Sequence, residues 1–158
     1  MKILIVCYGN ACRSPMFAAL LQKEFALRGI HAVVESAGVK DKEPTPASEP
    51  AQTVMREMGL DISGHQSRNV REVDLGRYDY IYCMEETQMA VLRDLGVPEG
   101  KLRLLNVDAG GVPNPWEKGL DAYRHCANLL SRIARDMASH FARLVGPVQA
   151  TASVANPN

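Results

Sequence analysis

Residues 7–15, CYGNACRSP, place a thiol and a guanidinium six positions apart, and both groups can act on a phosphate. The thiolate of Cys7 is a strong nucleophile, and the planar fork of Arg13 matches two oxygens of a phosphate group. The intervening loop can curl so that its backbone N–H groups point inward. Its predicted phosphate-binding residues are Tyr8, Gly9, Asn10, Ala11 and Cys12. The C-x5-R spacing therefore predicts a cradle for a tetrahedral oxyanion, with a nucleophile at its base.

The elements on both sides of the loop must hold this cradle in place. KILIV (2–6) is apolar and rich in β-branched residues, which is typical of a strand buried on both faces of a parallel sheet. A helix is predicted from Ser14 to about Arg28, with Ser14 as its cap, Pro15 in its first turn and Gly29 at its end. Its positive end adds free N–H groups to the cradle.

The positive end of the helix and the Arg13 guanidinium also act on the thiol of Cys7. A helix N-terminus and a neighbouring cation favour the ionised form of a thiol, so Cys7 is expected to be a thiolate. Ser14 could donate its hydroxyl to that thiolate, while Gly9 and Asn10 tolerate the left-handed backbone that a tight curl needs. A lone cysteine would more often be a packing residue, and an arginine a surface ion-pair partner. Their combination at a strand–helix junction favours the phosphate site.

Short apolar runs alternate with helical patterns along the rest of the chain. The predicted strands are 2–6, 31–38, 78–84 and 101–105, and the predicted helices are 14–28, 46–58, 86–96 and 120–145. This alternation indicates an α/β fold with three layers, a four-stranded parallel sheet between helices. Residues 1–145 are expected to form one domain, and 146–158 a loose tail. The phosphate loop and the loop 106–116 both follow strands and should border one crevice.

Composition excludes several function classes. The chain has 158 residues, of which 18 are basic and 18 acidic, so no bulk charge favours nucleic acid or an anionic membrane. No apolar run suits a signal peptide or a membrane span, and the chain is expected to be cytoplasmic, with its four cysteines reduced. No zinc spacing or kinase phosphate loop is present, and no metal or other cofactor is expected.

The sequence VCYGNACRSP resembles the signature of the low-molecular-weight protein tyrosine phosphatases. The likeness continues through ESAG (35–38), GLDISGHQSR (59–68), YDYIYCME (78–85) and the loop before the last helix. It implies a sheet in the order 2-1-3-4. It also implies a phosphorylated protein as substrate, a phosphate or related oxyanion in the site, and a monomer or weak dimer.

The resemblance also implies roles for particular residues. Cys7 would form a phosphocysteine, Arg13 would bind phosphate and the transition state, and Ser14 would steady the thiolate. Asn10 would hold the loop in shape through hydrogen bonds with Ser36 and His65. Alternatively, Ser36 is only a turn residue at the end of a strand, and His65 is only a loop histidine. Cys12 resembles a second loop cysteine that forms a reversible disulfide with the nucleophile, and its alternative is simple packing.

One position departs from the family pattern. The family takes its general acid from an Asp-Pro pair before the last helix, and this chain has Asn114 followed by proline. An amide can hydrogen-bond the leaving oxygen but cannot protonate it, so turnover is expected to fall. Position 114 could be a natural variant, giving a slow or specialised enzyme or a phosphoprotein-binding pseudophosphatase, or an engineered substrate trap. Another acid could also serve, with Asp108 and Glu117 nearest in sequence.

The substrate is less closely defined. Tyr8 and Trp116 are predicted to wall the cleft, although Trp116 could instead anchor the core. Phosphotyrosine or a similar aryl phosphate is the first expected substrate, and phosphoarginine the second. The stretch NPWEKGLDAYRHC (114–126) resembles bacterial arginine phosphatases, but those enzymes have a threonine where this chain has Ala11. An arsenate reductase is a further alternative on the same fold, although Cys83 and Cys126 lack the paired spacing of its cysteine relay.

Overall fold

The computed structural model describes residues 1–146, in which four parallel strands form one sheet. The strands are β1 (Lys2–Cys7), β2 (Val33–Gly38), β3 (Tyr80–Cys83) and β4 (Leu102–Leu104), in the order β2-β1-β3-β4. The α/β class and the strand order 2-1-3-4 are therefore confirmed. β2, β3 and β4 are two to three residues shorter than the predicted runs 31–38, 78–84 and 101–105.

Four α-helices connect and cover the strands: α1 (Arg13–Leu27), α2 (Glu49–Glu57), α3 (Glu86–Asp94) and α4 (Leu120–Val145). The predicted bounds of α4 are confirmed. α2 starts three residues later than predicted, because Ser48 is still extended and a proline occupies the first turn of the helix. Among residues 1–146, no helix combines the length and the apolar character needed to cross a membrane.

β1 is buried on both faces, and its alternating side chains divide the core into two halves. Ile3 and Ile5 belong to the cluster formed with α1, α2 and α4, whereas Leu4 and Val6 belong to the cluster on the α3 side. All four side chains are fully buried. The sheet thus lies between two helical layers, and β1, one of its two inner strands, ends at the predicted phosphate loop.

The start of α1 differs from the sequence prediction. The helix begins at Arg13 with Cys12 in the capping position, and no side chain caps it. Ser14 was predicted as the cap, but it lies within the first turn, where its hydroxyl faces the loop. The predicted end is confirmed, since Gly29 follows the helix with a left-handed φ of 66°. The predicted tail falls outside the described residues, apart from Gly146.

Candidate active site

Cys7 is the last residue of β1, and its thiol lies at the base of the loop that leads into α1. Its side chain is buried and faces the N-terminal turn of the helix. The Ser14 hydroxyl lies 3.0 Å from the sulfur, and the backbone N–H of Asn10 donates to it at 3.2 Å. The sulfur therefore lies at the N-terminal end of α1, within hydrogen-bond distance of a hydroxyl and a backbone N–H.

Asn10 fixes the shape of the loop. Its φ is 51°, a left-handed value that asparagine tolerates, whereas Gly9, which was expected to share this conformation, has no positive φ. The Asn10 side-chain amide donates to Ser14 Oγ at 2.8 Å and to Ser36 Oγ at 2.9 Å, and its carbonyl oxygen accepts from the Arg68 N–H at 3.0 Å. Because Ser14 accepts from Asn10, its own hydrogen is free to point at Cys7.

Two further residues support the loop from outside. The ring Nε2–H of His65 donates to the backbone carbonyl of Asn10 at 2.7 Å. Burial lowers the pKa of His65, which keeps the ring neutral. Gly38 ends β2 directly against the loop. A Cβ at Gly38 would lie 2.8 Å from the Tyr8 carbonyl oxygen and 2.9 Å from the Asn10 nitrogen. Only glycine permits this close approach of the two backbones.

The guanidinium of Arg13 is almost completely buried and only partly satisfied by the protein. Its Nη1 donates to the Val112 carbonyl at 2.8 Å and to the carboxylate of Glu85. Its Nε–H is buried and has no hydrogen-bond partner within residues 1–146. Buried donors are rarely left unpaired. Arg13 and Cys7 line one cavity, which makes this donor a candidate partner for an anion bound there.

A cavity of about 180 Å³ opens above the loop. Besides the loop residues Cys7, Tyr8, Gly9, Ala11, Cys12 and Arg13, it is lined by Lys40, Lys42, Asn114 and Trp116. Tyr8 is 52% exposed and Trp116 is 48% exposed, so both rings stand at the mouth. The alternative that Trp116 anchors the core is wrong. The two rings provide apolar walls beside the anion cradle.

Asn114, the predicted acid position, lines this cavity, and no carboxylate of residues 1–146 does. The Asn114 side-chain oxygen accepts from the Trp116 N–H at 3.2 Å, and within residues 1–146 its amide N–H groups have no partner. Asp108 lies in a short 3-10 turn (Val107–Ala109) and Glu117 is exposed, and neither lines the cavity. The nearby Lys42 donates to Thr45 Oγ1 at 2.8 Å, and partial burial and then the charge of Lys40 lower its pKa.

All four cysteines are free and buried. Burial, followed by the charge of Cys7, raises the pKa of Cys12 to about 11, so this residue is a thiol at neutral pH. Burial likewise raises the pKa of Cys83 and Cys126 to about 12. A disulfide between Cys7 and Cys12 under oxidation stays a prediction. No cluster of three or more His, Cys, Asp or Glu side chains within residues 1–146 is suited to a metal.

Sequence reasoning missed several supporting groups. Glu85 and the backbone of Arg68 belong to the motifs CME and HQSR, but neither residue was given a role. The two lysines of the cavity wall, Lys40 and Lys42, were given no role either. The contacts of Glu85 with Arg13 and of Arg68 with Asn10 join segments far apart in the sequence, so local spacing does not predict them.

Comparisons with known proteins agree with this geometry. The family described as low molecular weight phosphotyrosine protein phosphatase matches residues 2–146. The chain is 34% identical to the low molecular weight protein-tyrosine-phosphatase Etp of Escherichia coli (strain K12) over 146 residues, covering 90% of this chain and 95% of Etp.

The chain is also similar in structure to solved phosphatases. The low molecular weight protein tyrosine phosphatase from T. tengcongensis superposes with a TM-score of 0.82 at 30% identity, over 89% of this chain and 99% of its own. The YwlE arginine phosphatase from Geobacillus stearothermophilus gives a TM-score of 0.80 at 28% identity, over 90% and 94% of the two chains.

Proposed function

The chain belongs to the low molecular weight phosphotyrosine protein phosphatase family, and we propose that it hydrolyses phosphate monoesters through a phosphocysteine on Cys7. The observation that carries the proposal is the buried Nε–H of Arg13, which has no hydrogen-bond partner within residues 1–146. Arg13 lines the same cavity as Cys7, whose sulfur accepts a hydrogen bond from the Asn10 N–H. This pair of groups provides an anion site and a nucleophile in one cavity.

The first chemical step transfers the phosphoryl group to sulfur. The Cys7 thiolate attacks phosphorus in line with the ester oxygen, the S–P bond forms, and the P–O ester bond breaks. Arg13 and the loop N–H groups bind the equatorial oxygens, where charge spreads in the transition state. Ser14, held by Asn10, donates to the sulfur and stabilises it as a thiolate. The leaving oxygen departs with the ester's electron pair and requires a proton.

The second step returns the enzyme to its starting state. Water attacks phosphorus, the S–P bond breaks, inorganic phosphate leaves, and Cys7 is again a thiolate. This water must lose a proton as it attacks. In both steps the group at position 114 faces the oxygen concerned, and Asn114 can neither give nor take a proton there. A positioned acid or base contributes roughly 10²–10⁴-fold, or about 3–5 kcal/mol of barrier.

Phosphotyrosine on a protein is the proposed substrate. The rings of Tyr8 and Trp116 stand half-exposed at the cavity mouth, where they can contact an aromatic leaving group on its faces. Phosphoarginine is the second candidate, favoured by the likeness to the YwlE arginine phosphatase. Against it, the cradle carries Ala11 where the resembling arginine phosphatases have a threonine. Hydrolysis of matched phosphotyrosine and phosphoarginine peptides separates the two.

Stopped-flow hydrolysis of p-nitrophenyl phosphate and phenyl phosphate tests the activity and the acid position together. The parent chain is compared with Asn114→Asp, and Cys7→Ser serves as the blank. We expect Asn114→Asp to raise turnover by about two decades or more. The gain should be larger for phenyl phosphate, whose leaving group depends more on protonation.

Two other outcomes would contradict parts of this account. Similar, substantial rates for both chains would mean that another group supplies the proton, and that the role of the 114 position is wrong. Rates no higher than the Cys7→Ser blank for both chains would refute hydrolysis and favour a phosphoprotein-binding module.

A further inference from the structure

A second cavity adjoins the active site on the far side of Asn114. It has a volume of about 340 Å³ and lies between the loop 113–118 and the first turns of α4. Asn114 lines both this groove and the catalytic cavity. Its apolar surface includes Pro115, Ala122 and Leu129. A substrate peptide that extends from the catalytic cavity across Asn114 would therefore enter this groove.

Of residues 1–146, those that line this groove include three basic ones and no acidic one; the basic residues are Lys118, His125 and Arg132. All three are exposed, and within residues 1–146 none of them forms an ion pair. Arg124, on the same helix, shows the opposite pattern, since it binds both Glu57 and Asp121. Lys118 and Arg132 thus give the groove two uncompensated positive charges, in a chain whose net charge is zero with histidine neutral.

We propose that this groove docks an acidic segment of the phosphoprotein substrate, adjacent to its phosphorylated residue. The inference rests on the proposed function, because the phosphorylated side chain must occupy the catalytic cavity. Charge complementarity identifies the occupant: apolar side chains contact the floor, and Asp or Glu side chains face the basic rim.

The dimensions of the groove set the length of that segment. Its α4 residues Ala122, His125, Leu129 and Arg132 recur at helical spacing and share one face of the helix. From Ala122 to Arg132 the helix rises by about 15 Å, which matches four to five residues of an extended peptide. The acidic residues that matter are therefore those within about five positions of the phosphorylated one.

The expected selectivity is moderate. Each exposed ion pair contributes about a twofold to fivefold gain in binding, so two acidic residues should give about tenfold. Salt should weaken the preference, since the rim is exposed to solvent. A small aryl phosphate does not reach the groove and should be insensitive to it.

Peptide kinetics test the groove. One phosphotyrosine peptide carries Leu-Glu-Glu on both sides of the phosphorylated residue, and a matched peptide carries Leu-Gln-Gln. Values of kcat/KM are measured at low and high salt for the parent chain, for Arg132→Glu and for Arg135→Glu. Arg135 is an exposed arginine of the same helix that lines neither cavity, so its reversal controls for net charge.

We expect the parent and Arg135→Glu to prefer the acidic peptide by about tenfold at low salt, and Arg132→Glu to lose this preference. All three should hydrolyse p-nitrophenyl phosphate equally. Equal rates on both peptides for the parent, or an equal loss in Arg135→Glu and Arg132→Glu, would overturn the proposal. A dimer that covers this face of α4 in solution would overturn it as well.

Calorimetric measurement of the binding of the same peptides to Cys7→Ser separates the docking proposal from the proposed function. Tighter binding of the acidic peptide that depends on Arg132 supports the groove even where no turnover is found. Absent turnover with such binding refutes the phosphatase proposal alone. Equal binding of the two peptides refutes the groove alone.

Discussion

Replacement of Asn10 by alanine should separate the architecture of the phosphate loop from its chemistry. The Asn10 side chain is fully buried and makes three hydrogen bonds, to Ser14, to Ser36 and from the Arg68 N–H. Each contributes a net of about 1 kcal/mol. Alanine at a φ of 51° adds about 1 kcal/mol of backbone strain. Asn10→Ala should therefore lower the free energy of unfolding by about 4 kcal/mol.

Ser36→Ala is the matched control, because it removes only one of these bonds. We expect it to lower the free energy of unfolding by about 1 kcal/mol, and to leave kcat/KM for p-nitrophenyl phosphate within about threefold of the parent. Asn10→Ala should lower kcat/KM about a hundredfold, since the sulfur and its donors are no longer held in the attacking geometry.

Urea titration and steady-state kinetics of the two variants measure both effects. The reasoning would be refuted by an Asn10→Ala chain that unfolds within about 1 kcal/mol of the parent. A Ser36→Ala chain as impaired as Asn10→Ala would also refute it, because the network would then depend on Ser36 and not on Asn10.

Two further predictions concern the support of the loop. Gly38→Ala should lower the free energy of unfolding by about 1–3 kcal/mol and reduce activity, because its Cβ would meet the backbone of Tyr8 and Asn10. The control is Gly64→Ala, whose Cβ has no neighbour within 4 Å. Thermal melts and phosphatase assays should show its stability and activity unchanged. Because the lowered pKa of His65 keeps it neutral in the fold, stability should fall as the pH drops below about 6.5, where the unfolded chain takes up the proton. His65→Gln retains a donor to the backbone carbonyl of Asn10 and should flatten this part of the pH–stability curve. An unchanged curve would mean that His65 does not cause the loss of stability below pH 6.5.

Local patterns predicted much of the fold. The apolar run of β1 and the helical periodicity of α4 are strong signals, and both elements form with the predicted bounds or within one residue of them. The start of α1 was wrong by one residue because Ser14 has the side chain of a typical cap, while its position is set by contacts to Cys7 and Asn10. Such contacts override a capping preference.

The loop that gathers Cys7, Arg13 and Asn10 could be predicted because its spacing is short and continuous. The partners of Arg13 could not, since Glu85 and Val112 reach it from the ends of other segments. The groove beside Asn114 was also beyond sequence reasoning. Its basic rim arises only when the loop 113–118 packs beside α4, and no spacing rule relates the two.

Rapid acid quench of the parent chain with p-nitrophenyl phosphate, followed by mass spectrometry of the peptide that contains Cys7, tests the central claim most directly. The first step needs no acid with this activated substrate, whereas the second lacks a base at Asn114. Phosphocysteine should therefore accumulate on Cys7 towards one per chain, with a burst of nitrophenol of the same size, and Asn114→Asp should diminish it. Phosphorylation on any other residue, or a Cys7 peptide that remains unmodified while substrate is turned over, would contradict the account.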